Sequence, residues 1–162
     1  MFMVSNELKI GLLTDHVSLK EIISKISPEK IKKKIYIMEK SLKVDFGIIK
    51  PKIAVLSINP HVGDGGIIGD EDETLLKPTL IEISKSGTLI SGPFSSDSFF
   101  GASLYKNYDA VLAIYHDQGL IPFKTLAFGE GVNFTAGLNK VRTSPDHGTG
   151  YDIAGKNIAS AS

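Results

Sequence analysis

Three stretches of the chain are apolar for several residues in succession and then stop at a histidine: LKIGLLTDH ends at His16, KIAVLSINPH at His61 and DAVLAIYH at His116. A short run of Val, Ile, Leu and Ala that is apolar on both alternating faces predicts a strand covered on both sides, as in a parallel sheet between helices. The pattern predicts strands at the first run, at 53–58 and at 109–115, shorter ones at 88–91 and 132–136, and a strand or strand approach in the opening MFMVSNELKI. A helix over 18–26 follows from Ser18 as N-cap with Glu21 three residues on. A second helix, 28–45, opens on Pro28, turns Ile31, Ile35, Met38 and Leu42 to one face and stops at Gly47. The glycine-rich loop 59–73 closes on acidic residues suited to the positive end of a helix running toward Ser86. The loop at 92–100 enters a short helix, 118–128 is helical despite Pro122, and a last short helix starts at Tyr151. Strands alternate with helices and no repeat or linker interrupts them. The expected fold is therefore α/β, an open, mostly parallel twisted sheet flanked by helices, formed by residues 1–162 as a single unit.

The position of the histidines matters more than their number. In an open α/β sheet, ligands bind beyond the carboxyl ends of the strands, so residues that end parallel strands face one crevice. Three imidazoles there can meet on one divalent cation, leaving a coordination position open for water or substrate. Asp15, Asp64 and Asp117 stand near them in sequence, either to orient the rings or to complete the ligand set; Asp15 and Asp117 are equally placed to cap the helices that follow. GDGGIIG at 63–69 is not a dinucleotide fingerprint in register, and its glycines instead let the backbone fold tightly around the metal edge. Lys124, Asn133, Arg142 and His147 form a second polar group suited to an anion such as phosphate.

Composition narrows the field. Eighteen basic and eighteen acidic side chains cancel, which gives no electrostatic reason to expect nucleic acid or an anionic membrane as partner, and the KIKKK run at 30–34 falls on a solvated helix face. The absence of cysteine excludes a thiolate metal site, a cysteine nucleophile and disulfides, and is compatible with the cytoplasm. No apolar run is long enough to span a bilayer. Both ends are abrupt, as expected of a piece of a longer chain.

NPHxGxGG at 59–66, GPxxxDxxF at 92–100, YHDQGL at 115–120, GVNxTxGL at 131–138 and RTSPDHGTGYDIAGK at 142–156 together resemble the 4-hydroxythreonine-4-phosphate dehydrogenase family of vitamin B6 biosynthesis. The resemblance covers nearly the whole chain but only about the C-terminal half of the family. It implies a fold shared with isocitrate and isopropylmalate dehydrogenases, and a divalent metal, zinc or alternatively cobalt, magnesium, manganese or nickel, on His16, His61 and His116. It also implies a phosphorylated substrate on Lys124, Asn133 and Arg142, NAD against His147, Gly148, Thr149 and Asp152, and a homodimer whose interface contains the metal. The chemistry implied is oxidation and decarboxylation of 4-phosphooxy-threonine, with Asp97 or Asp117 relaying a proton. Half a family member lacks one wall of the cofactor cleft, so weak metal affinity and little turnover are expected of the chain alone. The alternatives are dehydrogenation of a related sugar-acid phosphate such as erythronate or threonate 4-phosphate, or a non-catalytic metal-binding or dimerisation fragment.

Overall fold

The computed structural model of the chain describes residues 1–127, 129–145 and 150–158. Seven strands, β1 (Phe2–Val4), β2 (Lys9–Leu12), β3 (Lys52–Leu56), β4 (Leu89–Phe94), β5 (Ala110–Ala113), β6 (Val132–Phe134) and β7 (Thr143–Pro145), form one sheet in the order β4-β3-β5-β2-β1-β6-β7. The pairs β3/β4, β3/β5 and β2/β5 are parallel; β1/β2, β1/β6 and β6/β7 are antiparallel. Those pairings leave all strands but β1 and β7 running one way, so the expected mostly parallel sheet is present, with a reversed edge.

The three histidine-tipped runs become β2, β3 and β5, adjacent in the sheet. Their interiors are buried because helices cover both faces. One core layer packs Ile31, Ile35, Met38 and Leu42 of α1 (Pro28–Val44) and Leu80 and Ile83 of α2 (Lys77–Lys85) on Ile53, Val55 and Leu112. The other packs Phe99 of α3 (Ser96–Gly101) and Leu120 and Phe123 of α4 (His116–Leu126) on Ile10, Leu12, Ala54, Val111 and Ala113. α1 starts as its sequence dictates: Ser27 Oγ accepts the Lys30 amide at 3.2 Å and Pro28 follows the cap. α4 lies tight on the sheet through Gly119, where an added Cβ would sit 2.8 Å from Ile10 Cγ2 and 2.9 Å from Ala113 Cβ.

Three expectations need correction. The helix expected at 18–26 is two separate 3-10 turns, Leu19–Glu21 and Ile23–Lys25, because Ser18 Oγ donates to the Glu21 carboxylate at 2.9 Å instead of capping a backbone amide. The helix expected from Tyr151 is a succession of turns, with Gly150, Gly155 and Asn157 at positive φ and bonds such as Ile153 N to Gly150 O at 3.0 Å. β7, absent from the pattern, forms from polar TSP and carries its proline at the sheet edge, where no ladder amide is needed. Among the described residues no helix is long and apolar enough to cross a membrane.

Candidate active site

Beyond Leu12 and Ala113 the β2/β5 ladder continues: Leu13 N donates to Ala113 O at 2.8 Å, and both the amide and the hydroxyl of Thr14 donate to Ile114 O, at 3.0 and 2.7 Å. Two residues past each of these partners stands a histidine, and the His16 and His116 rings lie 5.4 Å apart, centroid to centroid. His116 Nδ1 lies 2.7 Å from Asp117 Oδ1. A carboxylate only accepts, so that nitrogen carries the hydrogen, which in the neutral ring leaves the Nε2 lone pair for a cation. Asp117 thus orients the ring rather than capping α4.

His61 leaves its strand differently. Past β3 the backbone turns left-handed at His61 (φ 52), Val62, Gly63, Asp64 and Gly65. Non-glycine residues there cost on the order of 1–3 kcal/mol each and persist only where the surroundings hold them. The brace is Asp72, fully buried, whose two oxygens accept Ile58 N and Asn59 N at 2.8 Å each. Asn59 Nδ2 donates in turn to Glu71 at 2.7 Å, and Gly63 sits so close to Gly69 that a Cβ would come 2.2 Å from its carbonyl oxygen. The acidic close of the loop therefore holds the exit of β3 as well as starting a helix: a π-helical turn, Asp72–Leu76, that leads into α2.

A cleft of about 660 Å³ opens at this end of the sheet, lined by Ser57 to Pro60, the start of α3 with Asp97, and one side of α4 with Asp117 and Gln118. The Asp97 carboxyl is held below the ordinary aspartate range, chiefly by the Ser95 hydroxyl at 2.7 Å, then by the Ser98 amide, with a smaller electrostatic contribution from His61. Asp97 is thus ionised at neutral pH and able to accept a proton. Asp97 is exposed, which keeps it in exchange with solvent.

The three histidines do not meet within one chain. Among the described residues, no three His, Asp or Glu side chains are gathered to hold an ion. His16 and His116 form a pair that His61 does not join. The donor set still suits a divalent ion: two imidazoles at neighbouring strand ends, one beside a carboxylate, and next to His16 in sequence Asp15, whose Oδ1 has no hydrogen bond among the described residues and whose charge is met by the Met1 ammonium at 3.9 Å and Lys34 Nζ at 3.8 Å.

The anion group divides as follows. Met3 and Asn133 are directly paired across β1/β6, and Met3 belongs to the α3/α4 core layer, so Asn133 faces that side. Its Oδ1 is buried and has no hydrogen-bond partner among the described residues. Thr135, two residues on, shares the face, and its hydroxyl accepts Arg142 Nη1 at 2.9 Å, which places the guanidinium along the same side of the β6/β7 edge. Lys124 is exposed on the last turn of α4. Asp152 is exposed among the turns at 150–157, whereas His147, Gly148 and Thr149 lie outside the described residues.

Sequence reasoning missed Asp72, Thr14 and Gln118. Gln118 had a signal: it is the third helical residue after the N-cap Tyr115, the position from which Glu or Gln reaches back to an amide ahead of the helix. Its Oε1 accepts Ile114 N at 2.6 Å.

Comparison with known proteins agrees with this architecture. The family described as pyridoxal phosphate biosynthetic protein PdxA matches residues 1–162. A 4-hydroxythreonine-4-phosphate dehydrogenase of Bacteroides thetaiotaomicron is 49% identical over 160 residues, 99% of this chain and 44% of its own length. The crystal structure of a 4-hydroxythreonine-4-phosphate dehydrogenase from Klebsiella pneumoniae superposes with a TM-score of 0.83 at 38% identity, covering 94% of this chain and 46% of that one. A terephthalate 1,2-cis-dihydrodiol dehydrogenase from Burkholderia xenovorans superposes at 0.80 with 27% identity, covering 98% of this chain and 50% of that one. The chain spans about half the length of the relatives it matches. With the motifs, the sheet order and these matches in agreement, the chain belongs to the PdxA family of pyridoxal phosphate biosynthetic proteins.

Proposed function

We propose that this chain is the part of a 4-hydroxythreonine-4-phosphate dehydrogenase that carries its divalent-metal ligands and its substrate-phosphate site, working as a homodimer with the metal at the interface. The observation that carries the reading is the His16/His116 pair at adjacent strand ends beside the cleft. His16 and His116 hold two ligand positions and His61, across paired subunits, supplies the third. A divalent ion in that place supplies Lewis-acid stabilisation of negative charge on a hydroxyl or carbonyl oxygen. NAD, the hydride acceptor, would lie against Asp152, open to a ribose diol, with His147, Gly148 and Thr149 beside it.

The chain's own residues do the rest. Arg142, Lys124 and Asn133 hold the phosphate, the guanidinium as a fork, the ammonium as a point charge and the Asn133 amide through its Nδ2 hydrogens. Oxidation of the secondary alcohol breaks its C–H and O–H bonds, the hydrogen of the first leaving as hydride and that of the second as a proton. Asp97 or Asp117, both at the cleft, takes that proton. The product is a β-keto acid, and loss of carbon dioxide breaks its C–C bond, the electrons staying on the organic fragment until it is reprotonated. Taken alone, the 162-residue stretch turns over weakly, since it spans half of the relatives' length.

The test is a chimera in which this chain replaces the matching half of the Bacteroides thetaiotaomicron relative, assayed for NADH with 4-phosphooxy-threonine, erythronate 4-phosphate, threonate 4-phosphate and an unphosphorylated diol acid. Turnover of 4-phosphooxy-threonine above the others supports the proposal. Preference for the unphosphorylated diol would move the chain toward the Burkholderia xenovorans type of substrate.

A further inference from the structure

Four segments carry the residues discussed above: the end of β2 with His16, and three that contribute to the cleft wall, the exit of β3 with His61, the start of α3 with Asp97 and the start of α4 with His116. The Gln118 side chain joins three of them directly. Oε1 accepts Ile114 N at the β5/α4 junction at 2.6 Å, and Nε2 donates both to Ser57 O at the β3 exit and to Ser96 Oγ in α3, at 2.8 Å each. The fourth follows through the same residue, because Ile114 O receives the Thr14 amide and hydroxyl from the end of β2. Both amide hydrogens of Gln118 are used, and neither goes to its own helix.

We propose that Gln118 is a positioning residue: it sets the relative placement of His16, His61, His116 and Asp97 by tying the segments that carry them. A helix cap needs only the bond from Ile114 N, and the two donated bonds have no part in starting α4. Groups that orient metal ligands at one remove commonly cost 10–100-fold in metal affinity when removed. For its cation readout the proposal rests on the metal reading above.

The test compares Gln118→Met, of similar length and good helix propensity but without either function, with Thr79→Val, which removes a part-buried bond from α2 back to Leu75 O in the turn ahead of it, outside the cleft lining. Co2+ is titrated into each chain and followed by its visible ligand-field bands, alongside thermal melts. Gln118→Met is expected to weaken Co2+ binding tenfold or more and to shift the bands, while Thr79→Val, with a comparable fall in Tm, leaves both in place. Unchanged affinity and bands in Gln118→Met, or a loss no larger than that of Thr79→Val, overturns the proposal. If the unmodified chain takes up no Co2+, the metal reading falls by itself, and a crystal structure of Gln118→Met decides the positioning role: His16 and His116 rings still 5.4 Å apart overturn it, and separated rings uphold it. Should Gln118→Met fail to fold, Gln118→Glu keeps the acceptor for Ile114 N, loses both donations, and is judged by the same ring separation.

Discussion

The Thr14 hydroxyl donates to the Ile114 carbonyl at 2.7 Å across a hundred residues of sequence, and two positions beyond each partner stands one of the paired histidines. Thr14→Val keeps the shape and the amide bond to Ile114 but removes the hydroxyl bond. It is expected to lower stability by about 1 kcal/mol, seen as a lower urea midpoint with unchanged m.

Asp72, itself buried, satisfies two part-buried amides at the exit of β3. Asp72→Leu leaves Ile58 N and Asn59 N without acceptors, at about 1–3 kcal/mol for each unpaired group. Amide exchange at Ile58 and Asn59 should accelerate well beyond that of the β5 amides, and protection equal to wild type would show that the brace is unnecessary.

Gly119 sets how near α4 lies to β2 and β5. Gly119→Ala places a Cβ against Ile10, Leu12 and Ala113 and is expected to cost about 1–3 kcal/mol by overpacking, despite the better helix propensity of alanine. Thermal melts check the sign, which propensity alone would reverse.

Asp97 contributes a pH dependence at the cleft. Its carboxyl is held below its ordinary value, mainly by the Ser95 hydroxyl. A folded-state pKa below the unfolded one contributes stability above the unfolded pKa, and that contribution disappears as pH falls through the folded pKa. Carboxyl-carbon NMR should therefore show Asp97 titrating below a free aspartate, and Ser95→Ala should move the midpoint up.

The parallel half of the sheet and α1 were legible because β2, β3 and β5 are buried on both faces and α1 buries one stripe, so period and burial coincide. β7 was not, since its three residues have no apolar pattern and owe their conformation to pairing with β6. The strand-end histidines were visible as a topological pattern, whereas their incomplete convergence within one chain was not. Strand order brings His16 and His116 together, but His61 is aimed by a left-handed turn whose direction depends on Asp72, eleven residues further along. Gln118 and Thr14 act through side-chain bonds to distant backbone, which no periodicity encodes.

The central claim is that these histidines are a shared cation site, and anomalous scattering from a crystal of the chain soaked in Zn2+ tests it most directly. The account predicts one zinc peak per chain, about 2.0–2.1 Å from a ring nitrogen of both His16 and His116, with His61 of the same or the paired copy completing the set. Zinc elsewhere, or none at the His16/His116 pair in a crystal that contains the dimer, would contradict it.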